Sequence, residues 1–170
     1  SFESWINVNN ARSLWPHVFD FGNGEDQDNI YLSFRGTSGQ LSLYSTNGFS
    51  SSSVNSLVDF PEEEWVHLAV TIESNGTSDS EGKDLATGKI YINGLEVASG
   101  ELFLPETMER SSQYLGRSNN PSDSYYDGMM DEVRIWSKTL SAEEIDREMT
   151  QRLAGDEVGL EAYYRFDEGA

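Results

Sequence analysis

Apolar and polar residues alternate in short runs along most of the chain. Phe2, Ile6 and Val8 fall on one face of a strand predicted over 2–8. The segment Asn29–Arg35 alternates cleanly, with Ile30, Leu32 and Phe34 directed to one side and Tyr31, Ser33 and Arg35 to the other. Leu41 and Leu43 mark a further strand. Val66, Leu68, Val70 and Ile72 give Trp65–Glu73 the period of a half-buried antiparallel strand. Across Lys89–Ser99, Asn93-Gly94 separates two runs of alternating β-branched residues; both positions tolerate positive φ, which predicts a two-residue hairpin. Met130–Trp136 and Leu160–Phe166 supply the late strands.

Helical periodicity is confined to one place. Ser141-Ala-Glu-Glu144 is a capping box, and Leu140 and Ile145 fit the hydrophobic staple around it. Gly155 suits a stop, so a short helix is predicted over about 142–153. Serine-rich 50–56 and the polar stretch 74–88 are read as loops, the second as a mobile strand connection. Many short strands and one helix predict an all-β fold: a jelly-roll sandwich of two antiparallel sheets with a short helix near the C-terminus.

Composition narrows the function. A chain of 170 residues suits a single domain over 1–170. Thirty acids against eleven bases give a net charge of −19. Such a field repels phosphate backbones, so no nucleic-acid partner is expected, whereas divalent cations are favoured. No run approaches the ~18 apolar residues of a membrane span, and no leader is evident, so any export signal is expected to lie outside this chain. Cysteine is absent, which excludes a disulfide framework and thiolate zinc sites.

The ordered set of motifs carries a family likeness. SFESWINV, FDFGNG followed by DNIYLSF, EEWVHLAVT, GKIYINGLEV, YLGRS, DGMMDEVRIWSKTLSAEEI and GLEAYYRFDEG resemble, in that order, the strands of laminin-G-like and pentraxin-like domains of the concanavalin A-like superfamily. In that group a further strand precedes the SFESW position. The resemblance therefore implies a domain excised from a larger protein and lacking its first strand. It implies an extracellular or cell-surface setting, with neighbouring domains in the same chain. The absence of cysteine points to a bacterial protein rather than an animal one.

The chemistry expected of the loops is calcium binding. Gly22–Asn29 packs carboxylates, amides and glycines into one connection, as a hard cation requires. Asx- and Gly-rich turns have the same composition without a metal. In pentraxins an Asp-Asn pair at this strand start binds calcium, and Asp28-Asn29 match it; Asp26 lies in the same loop. The family completes the site from the loop after a later Leu-Gly, here Leu115-Gly116, where Asn119, Asn120, Asp123 and Asp127 are the oxygen donors. The pentraxin loop is richer in acids at this point.

Tyr125 and Tyr126, with Asn119, are candidate ligand-binding residues; alternatively the tyrosines flank a strand, one ring in the core and one over the edge. Trp15 and Phe49 are further aromatics in or near loops. Glu144-Ile-Asp146-Arg-Glu148 matches the Glu-x-Asp-x-Glu string of the superfamily's glycoside hydrolases. On a helix, however, carboxylates two apart diverge, and Glu144 is already a capping residue. No catalytic residue is assigned. The expectation is a non-enzymatic, calcium-assisted module for a glycan or extracellular protein, of adhesin type, with a spacer or accessory domain of a carbohydrate-active enzyme as the alternative.

Overall fold

The computed structural model describes residues 1–47 and 50–167; Phe49 lies outside them. Eleven strands and one helix follow in the order β1 (Phe2–Val8), β2 (His17–Gly22), β3 (Ile30–Phe34), β4 (Gln40–Asn47), β5 (Ser50–Asp59), β6 (Trp65–Ser78), β7 (Asp84–Ile92), β8 (Leu95–Phe103), β9 (Ser112–Leu115), β10 (Gly128–Trp136), α1 (Ala142–Glu148) and β11 (Leu160–Tyr164). They form two antiparallel sheets, β11-β10-β1-β6-β7-β8 and β5-β4-β3-β2-β9. The jelly-roll expectation agrees with this arrangement. β1 is paired on both sides, by β10 and β6, so the sheet edges fall elsewhere.

The core lies between the sheets. Phe2, Ile6 and Val8 of β1 and Val66, Leu68 and Val70 of β6 meet Leu32, Phe34, Leu41 and Leu43 of the other sheet, all essentially inaccessible to water. Asn93 and Gly94 both take positive φ, as the predicted hairpin requires. One predicted loop, 50–56, is a strand, and the other, 74–88, narrows to a connection at 79–83 between two strands. β5 is serine-rich, but Val54 packs in the core, and Ser52 Oγ accepts from Phe103 N at 2.7 Å, tying the strand to β8. The polar stretch from Ser74 prolongs β6 to Ser78, and pairing with β7 runs from Leu68↔Ile92 to Ser74↔Ala86 and resumes, after an irregularity, at Ser78↔Asp84. Backbone pairing along a solvated hairpin needs no apolar alternation, so the period of 2 disappears while the ladder persists.

A second, smaller core closes the outer face of the six-stranded sheet, where Ala69, Tyr91 and Trp136 pack under Leu140, Ile145 and Leu153 around α1. The capping box forms as predicted. The helix nevertheless ends at Glu148, short of the predicted 153. Its carbonyls find side-chain donors at that point: Arg134 Nη1 donates to Glu148 O at 2.9 Å, Arg134 Nη2 to Gln151 O at 2.6 Å, and Trp5 Nε1 to Met149 O at 2.7 Å. These donors satisfy carbonyls that would otherwise need another helical turn.

Arg134 is itself buried against Glu3, which is fully inaccessible. Glu3 Oε1 lies 3.3 Å from Arg134 Nη1 and 3.2 Å from Trp136 Nε1, and Glu3 Oε2 lies 3.4 Å from His67 Nε2. Burial pushes the Glu3 carboxyl up, but His67 and Arg134 outweigh burial and hold it below its ordinary value. The stability it contributes is therefore complete above the unfolded value near 4.5 and lost as pH falls through the lower folded value. Replacing Arg134 by Met should cost about 3–5 kcal/mol in urea unfolding, because a buried carboxylate loses its guanidinium partner. Glu3→Leu added to Arg134→Met should recover part of that loss. Glu3→Gln should flatten the part of the acid limb that Glu3 supplies, and an unchanged limb would show that Glu3 contributes nothing there.

Candidate functional site

Among the described residues no helix covers the outer face of the five-stranded sheet. Here a bulge decides which side chains meet. β2 pairs with β3 as His17↔Ser33 and then Phe19↔Leu32, so Val18 is an extra residue. Val18 and Phe19 both enter the core, and His17 and Asp20, three apart, emerge on the same outer face. Simple alternation would have separated them. Asp20 sits opposite Tyr31, and Tyr31 opposite Tyr44 on β4, completing the row.

These rings form a continuous aromatic ladder. His17 stacks on Tyr31 with centroids 4.7 Å apart, and Tyr31 stacks on Tyr44 at 4.6 Å. Trp15 meets Tyr44 edge-on at 6.2 Å and 69°, so it is the one ring of the row outside the parallel stack. Its backbone has φ of 48°, a costly conformation for a bulky residue, held by a bond from Trp15 N to Gly36 O.

The floor of the site is organised by Asp20, which is 1% exposed. Its Oδ1 accepts from Asn29 Nδ2 and its Oδ2 from Asn119 N, both at 2.8 Å. His17 Nδ1 lies 3.4 Å from the same Oδ2, and His17 Nε2 lies 3.5 Å from Asp123 Oδ2, so the imidazole bridges two carboxylates. Burial raises the Asp20 carboxyl, but His17 and the Asn119 backbone and side chain hold it below its ordinary value. Asn29 is anchored by its own backbone: Asn29 N donates to Thr46 Oγ1 and Thr46 N to Asn29 O. Gly22 makes room for it, since a Cβ there would stand 2.3 Å from Asn29 Cγ. Asn29 Oδ1 is buried and has no hydrogen-bond partner.

Together these groups line a cavity of about 240 Å³ whose walls are the aromatic ladder, Asp20 and Asn29, with Asp26, Ser118, Asn119, Asn120 and Asp123 from the two loops. Five of the seven expected metal-binding residues thus converge: Asp26, Asn29, Asn119, Asn120 and Asp123. Asp28 is not in the lining; its carbonyl accepts from Arg110 Nε at 2.9 Å. Asp127 lies apart, with Oδ1 accepting from Asn9 Nδ2. Among the described residues no three His, Asp or Glu side chains converge as a metal site would require, and His17 occupies the gap between Asp20 and Asp123.

Of the expected ligand-binding residues, Asn119 lines the cavity and the two tyrosines do not. Tyr126 packs against the core with its hydroxyl within bonding distance of Asn7 O and Met129 O, whereas Tyr125 is 69% exposed. His17, Asp20, Tyr31 and Tyr44 were not singled out from sequence. The signal available was the outward alternation of Tyr31; His17 and Asp20 were hidden by the bulge. The Glu144–Glu148 string lies on α1, where Glu144 accepts from Ser141 N and pairs with Lys138.

The profile of the concanavalin A-like lectin/glucanase superfamily matches residues 1–146. No curated protein matches the sequence. Among solved structures, a Bacteroides ovatus protein to which carbohydrate binding has been ascribed superposes with TM-score 0.68 and 20% identity, over 98% of this chain and 45% of that one. The fourth domain of an extracellular arabinanase from Geobacillus stearothermophilus, in complex with arabinotriose, gives TM-score 0.61 and 22% identity, over 86% of this chain and 64% of that one. A heptameric pentraxin from Limulus polyphemus is more distant, at TM-score 0.48 and 10% identity over 85% of this chain and 66% of that one. The chain spans less than two thirds of the length of the first two structures. At these identities the likeness concerns the fold. With the profile spanning 146 of 170 residues, the two sheets and their order, the chain belongs to the concanavalin A-like lectin/glucanase superfamily.

Proposed function

We propose that this domain is a non-catalytic carbohydrate-binding module whose ligand enters the cleft on the outer face of the five-stranded sheet. The observation that carries the reading is the pairing, in one cavity, of an aromatic row with the orphan acceptor Asn29 Oδ1. Sugar rings present apolar C–H faces and hydroxyl edges, and such a wall meets both. Tyr31 and Tyr44 are already stacked on each other, so Trp15 is the ring with a face to offer. The two neighbours concerned with carbohydrate, one solved with arabinotriose, support the same class of ligand. The acidic, cysteine-free chain and its partial span of those structures support a module of a longer secreted or surface protein, of bacterial type, in an adhesin or beside an enzyme.

A second reading differs only in what meets Asn29 Oδ1. There a calcium ion, rather than a sugar hydroxyl, takes that oxygen together with those of Asp26, Asn119, Asn120 and Asp123, and would supply a charged centre for hydroxyl pairs. It is favoured by the orphan oxygen, and it requires the His17 bridge to yield.

One experiment tests the cleft and a second separates the two readings. In titrations against a panel of oligosaccharides, arabinotriose included, Trp15→Ala should weaken binding roughly 10- to 100-fold, with Tyr125→Ala unchanged. Equal loss in both variants, or in neither, would remove the cleft from the account. A thermal melt after chelation should be flat with added calcium if the sugar is held directly. A melting temperature that climbs with calcium, and not with magnesium, would favour the ion.

A further inference from the structure

We propose that the cleft, read as a carbohydrate site, selects neutral glycans and excludes acidic ones, with Asp26 as the rim residue that enforces the exclusion. The inference rests on the carbohydrate reading and adds the class of sugar. Asp20, Asp26 and Asp123 line the cavity, and among the described residues no Lys or Arg does. Of the basic residues near the lining in sequence, Arg35 is exposed beyond the end of β3 and Arg12 pairs with Asp59 at 2.8 Å; neither lines the cavity. Arg117 lies over the ring of Tyr114 at 4.6 Å, and Arg110 donates to the carbonyls of Asp28 and Glu106. Any positive charge on His17 is already matched, because its nitrogens face Asp20 and Asp123 at 3.4 and 3.5 Å.

The field at the cavity is therefore negative, and Tyr31 registers it. Burial pushes its hydroxyl up, and Tyr44, Asp26, Asp20 and Asp123 all push in the same direction. A hydroxyl that resists ionisation marks a place where a ligand carboxylate or sulfate is also disfavoured. The net charge of −19 extends the repulsion beyond the cleft.

Two groups of the lining residues, Asn29 Oδ1 and His17 Nδ1, lack hydrogen-bond partners, and the first has matching chemistry. Asn29, 2% exposed, donates one amide hydrogen to Asp20, and its acceptor Oδ1 has no partner. An acceptor calls for a donor: a sugar hydroxyl or the N–H of an N-acetyl group, and not a carboxylate. At about 240 Å³ the cavity is smaller than the ~300–1,000 Å³ typical of drug-sized ligands, so it holds a single ring or chain end. An acidic group on that ring cannot be moved out of the field.

Asp26 is the separable part. It is exposed, it stands in the loop before β3, and its φ of 52° suits asparagine as well as aspartate. Asp26→Asn therefore removes one charge without a change of shape or fold.

The test uses matched pairs that differ only in oxidation at C6, such as galactotriose with trigalacturonate and cellotriose with its uronate counterpart. They are titrated calorimetrically into the intact protein at low and high salt. The neutral member should bind at least about tenfold more tightly at low salt, the effect of one nearby carboxylate repulsion, and the gap should narrow as salt screens it. Asp26→Asn should narrow the gap as well, because it strengthens the acidic member more than it alters the neutral one. Equal or tighter binding of the acidic member to the wild type would overturn the charge selection alone. An unchanged gap in Asp26→Asn would overturn the role of Asp26. Binding of neither member in any pair, nor of any other neutral oligosaccharide, would overturn the carbohydrate reading beneath it.

Discussion

A carboxylate withdrawn from water must be met by donors, or it costs the fold several kcal/mol. At Asp20 the donors come from separate parts of the chain: Asn29 at the head of β3, Asn119 in the loop after β9, and His17 across the bulge in its own strand. Meeting that one requirement draws both loops onto the outer face of the sheet. It also takes one amide hydrogen of Asn29, whose oxygen is left unpaired. The cleft and its orphan acceptor are consequences of how Asp20 is buried.

The two outer faces of the sandwich solve similar electrostatic problems to opposite effect. On the six-stranded sheet, Glu3 is neutralised by Arg134 and His67, and Arg134 goes on to hold the carbonyls at the end of α1. The face is closed. On the five-stranded sheet, Asp20 is met by an imidazole and two amides, none of which carries a covering element. The aromatic ladder stands beside an open cavity. A rigid, closed side and an open, preorganised side are a sound basis for recognition, because little ordering remains to be done on binding.

Much of the fold was legible because local rules were obeyed. β1 matched its predicted bounds, Asn93-Gly94 made the expected turn, and Ser141 with Glu144 made the expected cap. Where rules compete, reading failed. β5 carries serines whose hydroxyls serve the ladder and β8, and the end of β6 is solvated on both faces, so neither shows an apolar period. The helix stopped early because Arg134 and Trp5, distant in sequence, took its carbonyls. The site was half legible. Asx-rich composition marked Asp26, Asn29, Asn119, Asn120 and Asp123, but Asp28 and Asp127 share that composition and face elsewhere. His17 and Asp20 were invisible because one extra residue, Val18, reverses the alternation on which strand reading depends.

The most direct measurement of the central claim is a two-dimensional amide and indole NMR titration with a neutral oligosaccharide. The chain has four tryptophans, and their indole N–H signals are separate reporters at Trp5, Trp15, Trp65 and Trp136. The account predicts that the Trp15 indole shifts together with the backbone amides of Asn29 and Asn119, while Trp5 and Trp136, under the helix face, stay fixed. Shifts centred on Trp5, Trp65 or Tyr125, with Trp15 and Asn29 unmoved, would contradict it.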